Sequence, residues 1–305
     1  MDAVLAENLV KSFGAVKAVD NISLTIKEGE IFGFLGPNGA GKTTTIRMIT
    51  GVLIPDFGNV RIFGTDIHKD PLSAKLNMGI IPENGTVYAD LTALQNVLLT
   101  ARFYGMKKNE REMRANEVLE NLGLSDRKNS LVRSFSKGMR QRVCIAAAIV
   151  HSPRLLILDE PTTGLDVYSR RLVIDTVREM NSNKSTILLT THNIEEANAL
   201  CSKIAVINRG RIAAAESPEN LKKRFDTSGY VEVAFDRKVS EEIFSYPGIE
   251  KAEHWGDKWR IYSEDTDMTV KFLSSLAERE KLKFVKISTS NPSLEEAFVK
   301  LTEEA

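Results

Sequence analysis

Residues 31–44 read IFGFLGPNGAGKTT, and this stretch decides the fold. Its first five residues form a continuous apolar run, which is typical of a strand buried on both faces of a parallel sheet. The remainder contains Gly36, four further residues, and then Gly41, Lys42 and Thr43, which is the pattern of a phosphate-binding loop. Because this loop follows a predicted strand and opens a predicted helix, we expect its N–H groups and the helix N-terminus to surround a phosphate.

The loop therefore predicts a site for a nucleoside triphosphate and Mg²⁺. Lys42 is expected to reach the β- and γ-phosphates, and Thr43 is expected to ligate Mg²⁺. The predicted nucleotide-binding residues of the loop are Gly36, Pro37, Asn38, Gly39, Ala40, Gly41, Lys42, Thr43 and Thr44.

Three more apolar runs have the character of buried parallel strands, namely LLIL (155–158), TILLT (186–190) and IAVI (204–207). Polar residues follow two of them, as they follow IFGFL. Asp159 and Glu160 come after the first run, and His192 comes just after the second. Ligands of open α/β sheets bind at the carboxyl ends of the strands, so we expect these side chains to share one site.

Each of these residues has a predicted role in that site. Asp159 leaves a buried strand, where a charge is costly unless it is paired or bound to metal, so we expect it to hold Mg²⁺ directly or through water. Glu160 is the candidate general base for the attacking water, and the turn at Pro161 lets both carboxylates reach the site. His192 is expected to contact the γ-phosphate and to orient the water or Glu160. The alternative for the two acids is an ordinary turn.

Together these motifs resemble those of the ATP-binding-cassette (ABC) ATPase family, over about residues 1–215. The family's signature motif is usually Leu-Ser-Gly-Gly-Gln, and it is matched here by Phe135-Ser136-Lys137-Gly138-Met139. The serine is a good helix N-cap. The resemblance implies that residues 136–139 reach across a dimer to the γ-phosphate of ATP held by the other subunit.

The resemblance also implies roles for three single residues. Asp166, in the sequence GLD, matches the family's D-loop and is expected to face the partner subunit. Glu83 stands where the family has the glutamine of its Q-loop, and it retains an oxygen for Mg²⁺ while adding a negative charge. Phe13 matches the aromatic residue that stacks on adenine, and its alternative is a simple core phenylalanine.

Two domains are predicted. Residues 1–216 form an α/β core of the P-loop NTPase type, with a helical subdomain inserted at about 84–150. Beyond a boundary near Ser217 and Pro218, residues 217–305 form a small α+β domain.

The small domain shows the order β-α-β-β-α-β, which predicts a ferredoxin-like fold. Its strands are predicted at 229–236, 249–255, 258–263 and 282–288, and its helices at 238–246 and 266–281. A last helix is expected to open with a capping box formed by Ser293 and Glu296. We hypothesise that this domain reinforces a dimer, and its alternatives are to bind a regulator or to contact a membrane subunit.

Composition excludes several classes of protein. Acidic and basic residues balance at 41 each, which argues against a general nucleic-acid binder. The N-terminal sequence lacks the apolar core of a signal peptide, and the longest apolar stretches, such as residues 143–150, are too short to cross a bilayer. The two cysteines, Cys144 and Cys201, are expected to be buried thiols in a reducing compartment. These features agree with what the resemblance implies, namely a cytoplasmic protein that is peripheral on the inner face of the membrane.

The resemblance thus implies an ATP-hydrolysing subunit that drives a separate transmembrane permease by ATP-dependent dimerisation, as a homodimer or with a related ATPase. The wording SKGMRQR (136–142) and NPSLEEAFVKLT (291–302) is similar to the single-cassette ATPases of ABC-2-type exporters, such as the drug-resistance and sodium-exporter ATPases. The alternatives are a soluble ABC ATPase without a permease, an importer ATPase, and a nucleotide-binding regulator that does not hydrolyse ATP.

Overall fold

A computed structural model of the chain describes residues 1–83, 85, 87–224, 229–263, 265–290 and 294–303. The chain divides into two compact units. The first comprises Met1–Pro218 together with the chain end from Leu301, and the second comprises Glu219–Lys300. The division lies two residues beyond the predicted boundary, and the prediction did not assign the chain end to the first unit. The Asn208 side chain donates a hydrogen bond to the Thr302 carbonyl (2.8 Å), which ties that end to strand 203–208.

The strands of the first unit are β1 (Asp2–Phe13), β2 (Val16–Lys27), β3 (Ile31–Leu35), β4 (Phe57–Ile62), β5 (Thr65–Asp66), β6 (Met78–Ile81), β7 (Leu155–Asp159), β8 (Thr186–Thr191), β9 (Lys203–Asn208) and β10 (Arg211–Glu216). Its helices are α1 (Lys42–Ile49), α2 (Pro71–Lys75), α3 (Ala93–Phe103), α4 (Lys108–Asn121), α5 (Lys137–Ile149), α6 (Val167–Ser182) and α7 (Ile194–Leu200). Helix α8 (Pro218–Arg224) begins at the boundary. Among the described helices, none combines the length and the apolar character that crossing a membrane requires.

A six-stranded sheet has the order β10-β9-β3-β8-β7-β6. All neighbouring pairs are parallel except β10 with β9. Every residue of β3, β7 and β8 is buried, which is the physical reason for their continuous apolar runs. The structure therefore confirms the predicted α/β core.

A second, antiparallel sheet has the order β2-β1-β4-β5 and was not predicted. Its buried side chains, including Leu9 and Ile22, share one hydrophobic core with Phe32 of β3. Helix α1 contributes Ile46 and Met48 to the same core. The helix that follows the phosphate loop is thus fixed by packing along its length.

Helices α3, α4 and α5 form the predicted helical region. Helix α3 begins with a capping box, in which Thr92 and Gln95 each accept a hydrogen bond from the other's backbone N–H. Ser136 caps α5 by accepting from the N–H of Met139 (3.2 Å), as its sequence position predicted. The predicted limit at residue 84 lies outside the described residues.

A small cluster joins the helical region to strand β6. The Tyr104 hydroxyl donates to the Met78 carbonyl (2.9 Å), and Nε2 of His151 lies 3.0 Å from the same oxygen. The two rings are stacked, with centroids 3.5 Å apart. Because a carbonyl only accepts, Nε2 carries the hydrogen, while the buried Nδ1 has no hydrogen-bond partner in the described part of the chain. A protonated ring would bury an unpaired N–H, and burial lowers the pKa of His151 to about 4.

This cluster predicts a loss of stability in acid. The unfolded chain takes up the His151 proton at its ordinary pKa of 6.5, whereas the folded chain resists until about 4. The stabilisation is therefore fully present above the unfolded pKa and is lost as pH falls toward the folded one. We expect His151 alone to reduce the free energy of unfolding by about 2 kcal/mol between about pH 7 and about pH 5.

Urea unfolding of the wild type and of His151→Gln at about pH 7 and about pH 5 measures the part of this stability loss that is due to His151. The glutamine amide retains a donor for Met78 but does not titrate, so the variant should lose about 2 kcal/mol less than the wild type on acidification. The exposed His254 supplies a control for the substitution itself, since His254→Gln makes the same chemical change away from the Met78 carbonyl. An unchanged pH dependence in His151→Gln would contradict the expectation.

Both cysteines are buried and free, as predicted. Burial raises the pKa of the Cys144 thiol to about 11, and burial likewise raises the pKa of Cys201. The Cys201 sulfur packs against β3, where a Cβ on Gly33 would lie 2.8 Å from it. These thiols act as small apolar side chains of the core.

The second unit has strands β11 (Tyr230–Phe235), β12 (Ile249–Trp255), β13 (Lys258–Ser263) and β14 (Phe284–Ser290), and helix α9 (Thr266–Arg279). The sheet order is β12-β13-β11-β14, with every neighbouring pair antiparallel. This is the ferredoxin-like arrangement that the sequence predicted. Its core is formed by residues of the sheet, of α9 and of the 3-10 turn Glu241–Phe244, namely Val231, Val233, Phe244, Ile261, Leu273 and Leu276.

Two further predictions about this unit are not confirmed: one is wrong, and the other falls outside the described residues. The helix expected at 238–246 is only a 3-10 turn over Glu241–Phe244. Pro247 disfavours helical geometry at the residue before it, which leaves too short a segment for a stable α-helix. The last helix, α10, spans Leu294–Glu303, but the predicted capping residue Ser293 lies outside the described residues.

Candidate nucleotide-binding and hydrolysis site

The loop between β3 and α1 has a shape that requires glycine. Gly41 has φ of 106°, a left-handed conformation, and a Cβ there would collide with the Ala18 carbonyl of β2. A Cβ on Gly36 would collide with the Ile207 carbonyl of β9. The loop is thus held against two strands with its own backbone as the lining, which is how a phosphate cradle is built.

Lys42 opens helix α1 and points back across this loop. Its side chain is almost fully buried, and Nζ donates to the carbonyls of Gly36 (2.7 Å) and Pro37 (3.2 Å). The same nitrogen lies 3.9 Å from a carboxylate oxygen of Glu160. The loop and the end of β7 therefore meet at the ammonium group.

A cavity of about 330 Å³ lies at this meeting point. It is lined by residues from β2, from the phosphate loop and the start of α1, from the segments that follow β7 and β8, and from the segment after β6, namely Ala18, Pro37, Asn38, Gly39, Gly41, Lys42, Thr43, Thr44, Glu83, Glu160, Thr163 and His192. The structure thus brings Lys42, Glu160 and His192 together, as the strand-end argument predicted. The buried Asp159 and Ala40 do not line this cavity, and neither does Gly36, whose carbonyl is bonded to Lys42.

The two acids at the end of β7 point in different directions because the backbone turns sharply between them. Asp159 is buried and accepts a hydrogen bond from the Thr190 hydroxyl (2.5 Å). Burial raises the pKa of Asp159. Glu160 has φ of 51°, an uncommon left-handed conformation for a residue with a side chain, and its N–H is held by the Thr190 carbonyl (3.1 Å) and hydroxyl (3.0 Å). Thr190 thus fixes both acids.

The Glu160 carboxylate has two more neighbours on the cavity side. One of its oxygens lies 2.7 Å from Nδ1 of His192 and accepts a hydrogen bond from the Thr163 hydroxyl (3.0 Å). The carboxylate is mostly buried, whereas the His192 side chain is 58% exposed. An acid, an imidazole and an ammonium group therefore converge on one opening.

The signature motif and the D-loop form a second cluster beside each other. Asp166 caps helix α6 by accepting from the N–H and the hydroxyl of Ser169, both at 2.8 Å, and these bonds lower the pKa of Asp166. A Cβ on Gly138 would collide with the Ser169 hydroxyl, and one on Gly164 would collide with the Lys137 ammonium group. Small residues thus allow the N-terminus of α5 to approach that of α6. No signature residue lines the cavity described above.

Two other predicted site residues are exposed. Glu83 follows β6 and lines the cavity. Phe13 ends β1, is 52% exposed and does not line the cavity, and Lys11 lies 6.0 Å from its ring centre. The core alternative for Phe13 is excluded by its exposure, and its adenine contact stays a prediction.

Sequence reasoning missed four buried side chains around the strand ends. Thr190 holds Asp159 and Glu160, while Thr162 and Thr191 both donate hydrogen bonds to the Glu196 carboxylate. The doubled threonine before His192 was the available signal, since hydroxyls at a buried strand end need partners. The partners of Thr190 and Thr162 lie 31 and 34 residues away in sequence, and only the sheet brings them together, whereas Thr191 and Glu196 are 5 residues apart.

A parallel sheet that carries a phosphate loop, an Asp-Glu pair and a histidine at its carboxyl edge defines a P-loop NTPase of the nucleotide-hydrolysing class. A sequence profile described as "ABC transporter" matches residues 19–163. The chain belongs to the ABC transporter ATP-binding proteins, which bind and hydrolyse ATP to power transport.

Several relatives match over nearly the whole chain. It is 35% identical to the linearmycin resistance ATP-binding protein LnrL of Bacillus subtilis (strain 168), with 97% of each chain covered. It is 36% identical to the daunorubicin/doxorubicin resistance ATP-binding protein DrrA of Streptomyces peucetius, covering 98% of this chain and 92% of that one. It is 34% identical to a Nod factor export ATP-binding protein I from Ralstonia nicotianae (strain ATCC BAA-1114 / GMI1000), covering 97% and 92%.

Solved structures support the same fold. An ATP-binding subunit of an ABC transporter matches with a TM-score of 0.69 and 30% identity, over 73% of this chain and 93% of that one. An ATP-binding cassette in its ADP conformation matches with a TM-score of 0.64 and 27% identity, over 72% of this chain and 92% of that one. The predicted fold class, family and ATPase activity are thereby confirmed.

Proposed function

We propose that this chain is the ATP-hydrolysing engine of an exporter, and that it drives a separate transmembrane permease. The observation that carries the hydrolytic part is the Glu160–His192 pair at the mouth of a phosphate-loop cavity. The export direction is supported by relatives named for drug resistance and for Nod factor export. The permease follows from the same names, since ATP-binding proteins supply ATPase activity and the membrane path lies in another chain.

The chemistry of hydrolysis is divided among three side chains. Lys42 binds the β- and γ-phosphate oxygens with its ammonium group, which already lies inside the loop. Glu160 accepts a proton from the attacking water as a general base. His192 fixes the Glu160 carboxylate through the 2.7 Å contact and contacts the γ-phosphate from the exposed side of the cavity.

The residues around the cavity also fit Mg²⁺. Thr43 and Glu83 line the cavity with a hydroxyl and a carboxylate, and Asp159 adds a buried carboxylate, so the donor set consists of hard oxygen atoms. Thr43 would hold the ion directly, and Asp159 and Glu83 would hold it directly or through water. When bound, the ion neutralises charge on the phosphate oxygens.

The signature motif supports action as a dimer. Residues 136–139 lie outside the cavity lined by the phosphate loop of the same chain, beside Asp166 of the D-loop. We infer that the N-terminus of α5 meets the γ-phosphate of ATP held by another subunit, either a second copy or a related ATPase. Closure of that pair transmits force to the permease at the cytoplasmic face of the membrane, where the chain is peripheral. No nucleic acid takes part, in keeping with the balanced charge.

A homodimeric engine predicts a specific activity that rises with protein concentration. Each site needs elements of two chains, so the ATPase rate per molecule should increase until the dimer is saturated. Steady-state phosphate release measured over a wide concentration range checks this. A specific activity that stays constant and high down to the lowest concentration would contradict the shared site.

Mixing two impaired variants at low ATP concentration provides a sharper form of the same test. Lys42→Ala damages the phosphate loop and Ser136→Arg damages the signature motif, so neither homodimer has an intact site. A mixed dimer has one site that pairs the normal loop with the normal motif. Recovery of part of the activity on mixing supports a shared site between two copies, and no recovery would point to a heterologous cassette as partner.

A further inference from the structure

Glu196 is a buried acid that the proposed chemistry does not use. It lies in the first turn of helix α7, and its N–H is bonded to the capping Asn193 side chain (3.0 Å). The residue is only 5% exposed. Burying a carboxylate is costly unless hydrogen bonds compensate the loss of hydration. The hydrogen-bond partners of Glu196 therefore indicate its role.

Those partners come from two separate strand ends. One carboxylate oxygen accepts hydrogen bonds from the Thr162 hydroxyl (2.8 Å) and from the Thr191 hydroxyl (3.2 Å). Thr162 lies two residues after Glu160, and Thr191 immediately precedes His192. A single buried oxygen therefore ties the turn that carries Glu160 to the loop that carries His192.

This link is distinct from the nucleotide cavity. Neither Glu196 nor its two threonine partners are among the residues that line the cavity. Both threonines are buried, so water does not compete for their hydroxyls. Glu196 therefore acts on the reaction through the groups that it holds and not by contact with the nucleotide cavity.

The turn at Glu160 needs such support. A left-handed backbone at a residue with a side chain persists only where the surroundings impose it. Thr190 holds the N–H of Glu160 from one side, and Thr162 is held by Glu196 on the other. The direct contact between Glu160 and His192 lies at the cavity, where the proton is transferred, whereas the buried link does not take part in that transfer.

We propose that Glu196 is a positioning residue, whose shared oxygen fixes the turn of Glu160 relative to the loop of His192 during ATP hydrolysis. This inference rests on the proposed role of Glu160 as general base. Its physical consequence is a rate effect, since displacement of a catalytic group by about 1 Å can cost about 100-fold in rate.

The test compares three variants of the full chain. Glu196→Ala removes the acceptor, and we expect kcat to fall by about 10- to 100-fold while KM and the affinity for ATP change by less than about threefold. Glu196→Gln offers a carbonyl oxygen that accepts the same two hydroxyls, so it should recover most of the lost rate. Thr162→Val removes one donor. In the double variant with Glu196→Ala, the loss of kcat should be much smaller than the two single losses combined, because both changes break the same link.

The matched control is the exposed neighbour Glu195 on the same helix, since Glu195→Ala makes the same chemical change without touching either loop. The thermal midpoint is measured for every variant. A normal kcat in Glu196→Ala would overturn the proposal. So would a parallel loss of ATP affinity and thermal stability that Glu196→Gln does not correct, because that pattern describes a structural anchor of α7.

Glu160→Gln is assayed in the same series. This variant tests the general-base role of Glu160 separately from the positioning role of Glu196. If Glu160→Gln hydrolyses ATP normally, the general-base assignment is wrong. If Glu160→Gln is inactive and Glu196→Ala is normal, only the positioning role is overturned.

Discussion

Glu160→Gln should bind ATP and lose hydrolysis by about 10²- to 10⁴-fold. The amide keeps the size of the side chain and can still accept hydrogen bonds from Thr163 and His192, so the site should retain its shape. What it cannot do is take a proton from water. The expected result is therefore a fall in kcat with little change in ATP affinity.

Phosphate release under saturating ATP gives the rate, and a fluorescent ATP analogue gives the affinity. Glu179→Gln, the same change at an exposed position of α6, is the control and should behave as the wild type. The variant should also accumulate as an ATP-bound dimer, which light scattering detects. Hydrolysis within about threefold of wild type would remove Glu160 from the role of base.

Lys42→Ala should weaken ATP binding by about 10- to 100-fold, because a charge-assisted hydrogen bond to a phosphate contributes about 1.5–3 kcal/mol. The ammonium group is already placed inside the loop by two carbonyls, so little reorganisation precedes phosphate contact. Hydrolysis at low ATP should fall by at least the same factor.

Titration with the fluorescent analogue measures the loss, and raising the ATP concentration should restore only part of the rate. Lys69→Ala, which removes an exposed lysine from the same unit, is the control for loss of positive charge. Equal ATP affinity in Lys42→Ala and the wild type would show that the loop backbone alone holds the phosphates.

How much of the fold was predictable depended on burial. Strands β3, β7, β8 and β9 are buried along nearly their whole length, so their sequences are continuous apolar runs that stand out. The sheet of β1, β2, β4 and β5 was missed because its strands mix buried and exposed positions without regular alternation. In β1 the register shifts repeatedly and Asn8 has positive φ, which breaks the period of two.

The candidate site divides in a similar way. The phosphate loop, Asp159, Glu160 and His192 were predictable because each directly follows a strand, and strand ends of a parallel sheet share one edge. The network of Thr162, Thr191 and Glu196 could not be predicted. Its hydrogen bonds form only because β7 and β8 lie side by side, and the sequence does not specify that pairing.

The proximity of the signature motif to Asp166 depends on a close contact between Gly138 and Ser169, which no local pattern specifies. The resemblance to the family identified both motifs, but it did not predict the contacts that bring them close together. The first turn of α5 and that of α6 are thus one surface, and substitutions in either should disturb the other.

The two buried thiols have a practical consequence for measuring motion. Thiol-labelling reagents attack the thiolate, and the raised pKa and burial of Cys144 and Cys201 keep that form scarce and inaccessible. The chain has no other cysteine. A single cysteine introduced at Val167, which is 84% exposed and adjoins the D-loop, could therefore carry a spin label or fluorophore in an otherwise native sequence. Distances between such labels would then follow the opening and closing of the working assembly through its ATP cycle.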